Sequence, residues 1–160
     1  MIWIDLLAIV IIIAAAYVES ERQFGSSLFD MVAILASLHL AKLLGPVFAH
    51  AVHLFSAADN NQAFGIALLF VVFAAPLLVL AKFVQDQALL TIDAFDAVAG
   101  AIFGLVSGIA IANIVLIIIL TANPASTPWG AAVRKRPAVQ QIVHFQAYNT
   151  VLDHLRHLGE

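Results

Sequence analysis

Residues 92–120 read IDAFDAVAGAIFGLVSGIAIANIVLIIIL, and the fold follows from this stretch. After Asp96 no charged residue appears until Arg134, so the segment is long and apolar enough to cross a bilayer as a helix. Gly100, Gly104 and Gly108 recur every fourth residue, and Ala112 continues the step. On a helix such residues stack on one face and open a flat groove where another helix can approach backbone to backbone. The stripe therefore predicts a packing seam. Its partner is either another helix of the same chain, the simpler use, or a second subunit in a homo-oligomer.

Composition agrees with a membrane location. Of 160 residues, 63% are hydrophobic and 11% charged, with mean hydropathy +1.03. A soluble domain is about half apolar and about a quarter charged. A core of this size cannot hide the excess, so the lipid bilayer is the expected solvent and first partner. The net charge of −3 speaks against nucleic-acid binding. With no cysteine, thiolate catalysis, disulfides and Cys-ligated metals are excluded.

Three more apolar runs precede the glycine helix. Met1 to Val18 is about one membrane thickness long and carries Asp5 where a secretory signal would carry Lys or Arg. Trp3 and Tyr17 bracket it as interfacial aromatics do, so it reads as a retained helix. Leu28 to Leu44 follows, with Ser27 as its expected N-cap and Asp30 in its first turn. Gly45–Pro46 predicts a break or kink, leaving 47–55 as a kinked end or an interfacial segment. Ala63 to Val84 is the third run, with Pro76 inside it and Lys82 near its end. The expected class is all-α: a polytopic membrane protein of four transmembrane helices plus a C-terminal amphipathic helix. Its parts are a four-helix membrane domain over 1–122, a linker rich in proline and small residues over 123–137, and an amphipathic tail helix over 138–160. Arg134, Lys135 and Arg136 form a basic knot expected at the membrane surface.

The polar residues admit two readings each. His39 and Lys42 lie within one turn, and an ammonium in hydrocarbon must snorkel, find a partner or line a wet cavity. A polar pathway would join them to Asp5 or Asp30 as counter-charge. The plainer reading is snorkelling, with the Gly–Pro break placing Lys42 near an end of its span. Two pairs, His50 and His53 and His154 and His157, are spaced i, i+3 but lack a nearby third ligand, so no metal is expected. Asp93 and Asp96 suit a helix N-terminus better than acid–base work. Ser107 and Asn113 should bond across helices or back to a carbonyl. No serine–histidine–carboxylate set and no phosphate-binding loop appears. No catalytic residue and no cofactor is implied.

The N-terminal residues Met1, Trp3, Ile4 and Asp5, together with the Asp96, Gly100, Gly104 entry to the last helix, carry a resemblance. Over roughly Met1 to Leu120 the chain resembles the colicin V production protein (CvpA) family of bacterial inner-membrane proteins. The resemblance implies four membrane helices, a role in production or export of a peptide toxin or in envelope integrity, and envelope or export proteins as partners. It implies no catalytic residues. The chain departs from the family pattern at Arg22-Gln23-Phe24-Gly25, where an Arg-Gly-Phe-like basic stretch is usual, and at Ala97, where an arginine is usual. The family pattern puts both ends outside, with Arg22 and Lys82 on the cytoplasmic side. Counting Arg134, Lys135, Arg136 and Arg156 prefers both ends inside. The family orientation is the expectation taken here.

Overall fold

A computed structural model describes residues 3–52, 54–88 and 95–144. Four long helices account for most of them: α1 (Trp3–Ser20), α2 (Phe24–Ala51), α3 (Ala58–Ala88) and α4 (Asp96–Ala122). All four are long and apolar enough to cross a membrane. Two short helices follow, α5 (Pro128–Arg134) and α6 (Pro137–His144). The bundle consists of two tightly packed pairs, α1 with α4 and α2 with α3. It is completed where α4 also lies against α2 and α3. Accordingly α4 is the most enclosed helix and α1 the least.

Small residues set both pairings. A Cβ on Gly104 would stand 2.7 Å from the Ala15 carbonyl oxygen and 2.7 Å from Ala16 Cα, and one on Gly108 would stand 2.7 Å from Ile12 Cα. A Cβ on Gly100 would overlap the Glu19 carbonyl. The stripe thus lies on the backbone of α1, with the two helices antiparallel. Ile12, Ala15, Ala16 and Glu19 supply the opposing surface. The α2–α3 crossing uses the same device, for a Cβ on Gly45 would meet Ile66 Cγ1 at 2.5 Å and one on Gly65 would meet the Gly45 carbonyl at 3.2 Å. That crossing explains why Gly45 precedes Pro46. The glycine admits α3 rather than ending α2.

Several boundaries differ from the sequence expectation. The α2 helix runs through Pro46 to Ala51, so Lys42 sits within the helix instead of near its end. Neighbouring helices can accommodate the one hydrogen bond that proline removes. The same helix begins at Phe24, before Ser27, and Asp30 falls beyond its first turn. Ser27 is not its cap. The Ser27 hydroxyl instead donates to the Glu19 carbonyl at 3.1 Å, and the Phe24 N–H donates to Asp96 Oδ1 at 3.2 Å, so α4 caps α2. The α2–α3 turn is pinned by Asn61, whose Oδ1 accepts from the N–H groups of Leu54 and Phe55 at 2.9 and 2.7 Å.

The expected linker contains α5. Thr127 caps it by accepting from the Gly130 N–H at 3.1 Å, and Pro128 takes the first position, where a missing amide proton costs nothing. From there α6 turns back along the bundle. Val133 and Val139 join Ile4, Ala8, Ala112, Leu116 and Leu120 in one core, with Ile142 and Val143 packed against it. Gln140 and Gln141 stay exposed. The described helix ends at His144, so the rest of the expected tail helix, and the histidine pair 154 and 157, lie outside the described residues, as do His53 and Asp93.

Candidate functional site

Polar groups gather at three levels of an otherwise apolar bundle. At the first level, where α1 ends and α2 begins, Arg22 pairs with Asp30 and reaches Glu19 at 3.5 Å. Both carboxylates are more than nine-tenths buried as residues, and Glu19 Oε2 has no hydrogen-bond partner among the described residues. Removing a charge from water costs more than a loose ion pair returns, so a buried carboxylate persists only where a cation and hydrogen bonds hold it. Arg22 is that cation. Beside it, between the start of α2 and the end of α3, opens a cleft of about 370 Å³ that Lys82 also borders.

At the opposite end, Asp5 in the first turn of α1 pairs with Arg136 at the entry to α6. Arg134 donates to the Leu120 carbonyl at 2.6 Å, placing a cation over the C-terminus of α4, where the helix dipole favours it. The Asn123 side chain caps the Ile119 carbonyl at 3.0 Å. Thus Arg134 and Arg136 of the basic knot close the bundle, and Arg134 and Lys135 both remain exposed.

The third level lies between these ends. Asn113 is fully buried, nine residues before the end of α4, or about 13 Å along the helix axis. Its amide donates to the Ile142 carbonyl and, at 3.0 Å, to the Val143 carbonyl. Both carbonyls belong to the described part of α6. The described part of α6 therefore runs beside α4, and Asn113 meets its backbone.

The structure does not assemble the four candidate pathway residues. Asp5 and Asp30 stand at opposite ends of α1, roughly 20 Å apart by helix rise, each with its own arginine. His39 is exposed and Lys42 half-buried, both within α2. The packing stripe is brought together: Gly100, Gly104, Gly108 and Ala112 are all buried on α4. Among the described residues no group of three or more metal-ligating side chains converges. Sequence reasoning missed Gly45 and Gly65, the Thr127–Pro128 helix start, and the capping roles of Arg134 and Asp96. The Thr–Pro step carried a readable signal. The others depend on which helices meet.

A family model described as Colicin V production protein matches residues 4–144. The chain belongs to the colicin V production protein family. The match reaches past Leu120 to His144, so the family region takes in α5, the described part of α6 and its Asn113 tie as well as the four long helices. Membership of the colicin V production family links the chain to that process, and four long apolar helices fit a multi-pass membrane protein. No curated protein and no solved structure matches the chain.

Proposed function

We propose that this protein is a non-enzymatic accessory or scaffold of the bacterial inner membrane, supporting the production or export of a peptide toxin such as colicin V and the upkeep of the envelope. Family membership over residues 4–144 is the observation that carries this reading. The disposition of polar groups agrees with it: Glu19, Arg22, Asp30, Asp5, Arg136 and Asn113 are all engaged in ties between segments of the chain. The outward faces of α1 and α3 are left to lipid or partner helices through Val10, Ile13, Val71, Val72 and Phe83. The role has no catalytic step. Affinity purification from a toxin-producing strain tests it. Export components should co-purify, and deletion should lower secreted toxin while its synthesis continues. Secretion unchanged by deletion would end this reading.

A second reading, a small oligomeric channel or transporter subunit for an ion or small solute, draws on Lys42, half-buried within α2, since an ionisable side chain inside a membrane span marks a pathway unless it snorkels. Purified protein in liposomes should then pass a solute in a manner that depends on Lys42 or His39. Flux unchanged by Lys42→Leu and His39→Leu would remove that reading.

A further inference from the structure

The cleft beside Arg22 is not used by the ties that hold the bundle. It is bounded on one wall by Arg22 and Ser26, at the start of α2, and on the other by Lys82 and Gln85, near the end of α3. Leu78 and Val79 form its edge toward the hydrocarbon, and Val79 is 70% exposed. Asp30 lies in its wall, but its charge is already met by Arg22. Arg22 spends one nitrogen, Nη1, on both carboxylates, and its side chain remains 45% exposed and lines the cleft, so its other nitrogens are left to serve a ligand there. Lys82 has no ion-pair partner among the described residues and is exposed.

We infer that this cleft binds the phosphate of a phospholipid headgroup. Donors face the space and the nearest acceptor is already occupied, so the ligand should be an anion rich in acceptor oxygens. Two cationic side chains and a hydroxyl, at about 370 Å³, suit one phosphate and its ester substituent. The position of the cleft selects a lipid over a soluble ester. It sits at the ends of two membrane-spanning helices, at headgroup level, where Lys and Arg side chains reach the interface. The apolar edge at Leu78 and the exposed Val79 then lets the acyl chains continue directly into the bilayer.

The experiment uses the full chain, delipidated in detergent and titrated with dioctanoyl phosphatidylglycerol by native mass spectrometry. Inorganic phosphate and dioctanoylglycerol, which lacks the phosphate, form parallel arms. The expected result is one tightly held phospholipid, bound about tenfold more weakly in Lys82→Ala. Lys82→Arg should keep the affinity, and Lys135→Ala, at the far end of the bundle, should leave it unchanged. Lys82 is exposed, so its replacement should not disturb folding, and an unchanged melting temperature checks this. Equal binding by Lys82→Ala, or equal retention of dioctanoylglycerol, would overturn the proposal. Displacement of the lipid by millimolar inorganic phosphate would assign the cleft to a soluble phosphate ester and overturn the lipid version.

Discussion

Asn113, in the middle of α4, donates its side-chain amide to the carbonyl of Val143 at 3.0 Å, thirty residues later in the chain. A second bond goes to the Ile142 carbonyl. These bonds hold α6 against α4. Interhelical hydrogen bonds in membranes average about 0.6 kcal/mol, so losing two should raise the undocked population about fivefold to tenfold. The chain has no cysteine, so Ile142→Cys supplies a single label site. A membrane-impermeant thiol reagent should modify it slowly, and faster by that factor when Asn113→Leu is added. Equal rates would show that Asn113 does not hold α6.

The α1–α4 seam leaves no room for a side chain. Gly104→Leu must push α1 away, since even a Cβ would stand 2.7 Å from Ala15 and Ala16. Overpacking of this kind costs about 1–3 kcal/mol. For a chain of this length that lowers the melting temperature in detergent by about 2–12 °C. Ile102→Leu, on the exposed side of the same helix, should change it little.

Asp5 and Arg136 join the first turn of α1 to the start of α6, with side chains 20% and 30% exposed. Both side chains are mostly covered, so a double-mutant cycle of Asp5→Asn and Arg136→Gln should give a coupling of at least about 0.5–1 kcal/mol, the upper range for exposed pairs. The coupling should fade as salt is raised. The reversed pair, Asp5→Arg with Arg136→Asp, should recover part of it. A coupling of zero at low salt would remove the pair from the account.

Asp96 caps α2 from another helix, by accepting from the Phe24 N–H at 3.2 Å. Asp96→Asn keeps an acceptor and loses the charge that favours a helix N-terminus, whereas Asp96→Ala loses both. Thermal melts should rank wild type above Asn and Asn above Ala, the full span being about 0.5–2 kcal/mol. An alanine variant as stable as wild type would contradict the cap.

Much of the fold was readable because lipid imposes a coarse code: length, apolarity and the spacing of small residues. Residues 92–120 announced both a span and a seam on those grounds alone. What stayed hidden depends on which surfaces meet. Ser27 has the chemistry of a cap, yet α2 starts earlier because Asp96, 72 residues away, caps it better placed. Gly45–Pro46 looked like a stop, but Gly45 is small so that Ile66 can approach, and Pro46 is carried within the helix. The Lys42 expectation failed with it. Residues 123–137 looked like a linker by composition, although Thr127–Pro128 is a helix start. The candidate pathway drew residues together by type, and helix geometry sends Asp5 and Asp30 to opposite ends. The cleft at Arg22 and Lys82 joins residues sixty positions apart, which no local pattern reveals.

The central claim is that the α4 stripe packs on α1 of the same chain. Ala8 and Ala112 share the core that continues this seam and suit a cysteine pair in a chain without native cysteines. Oxidised in native membranes, the Ala8→Cys, Ala112→Cys double variant should form a disulfide within one chain and run as a monomer of altered mobility. Co-expressed single variants should give no dimer. A disulfide-linked dimer from the mixed single variants would place the seam between subunits and contradict the account.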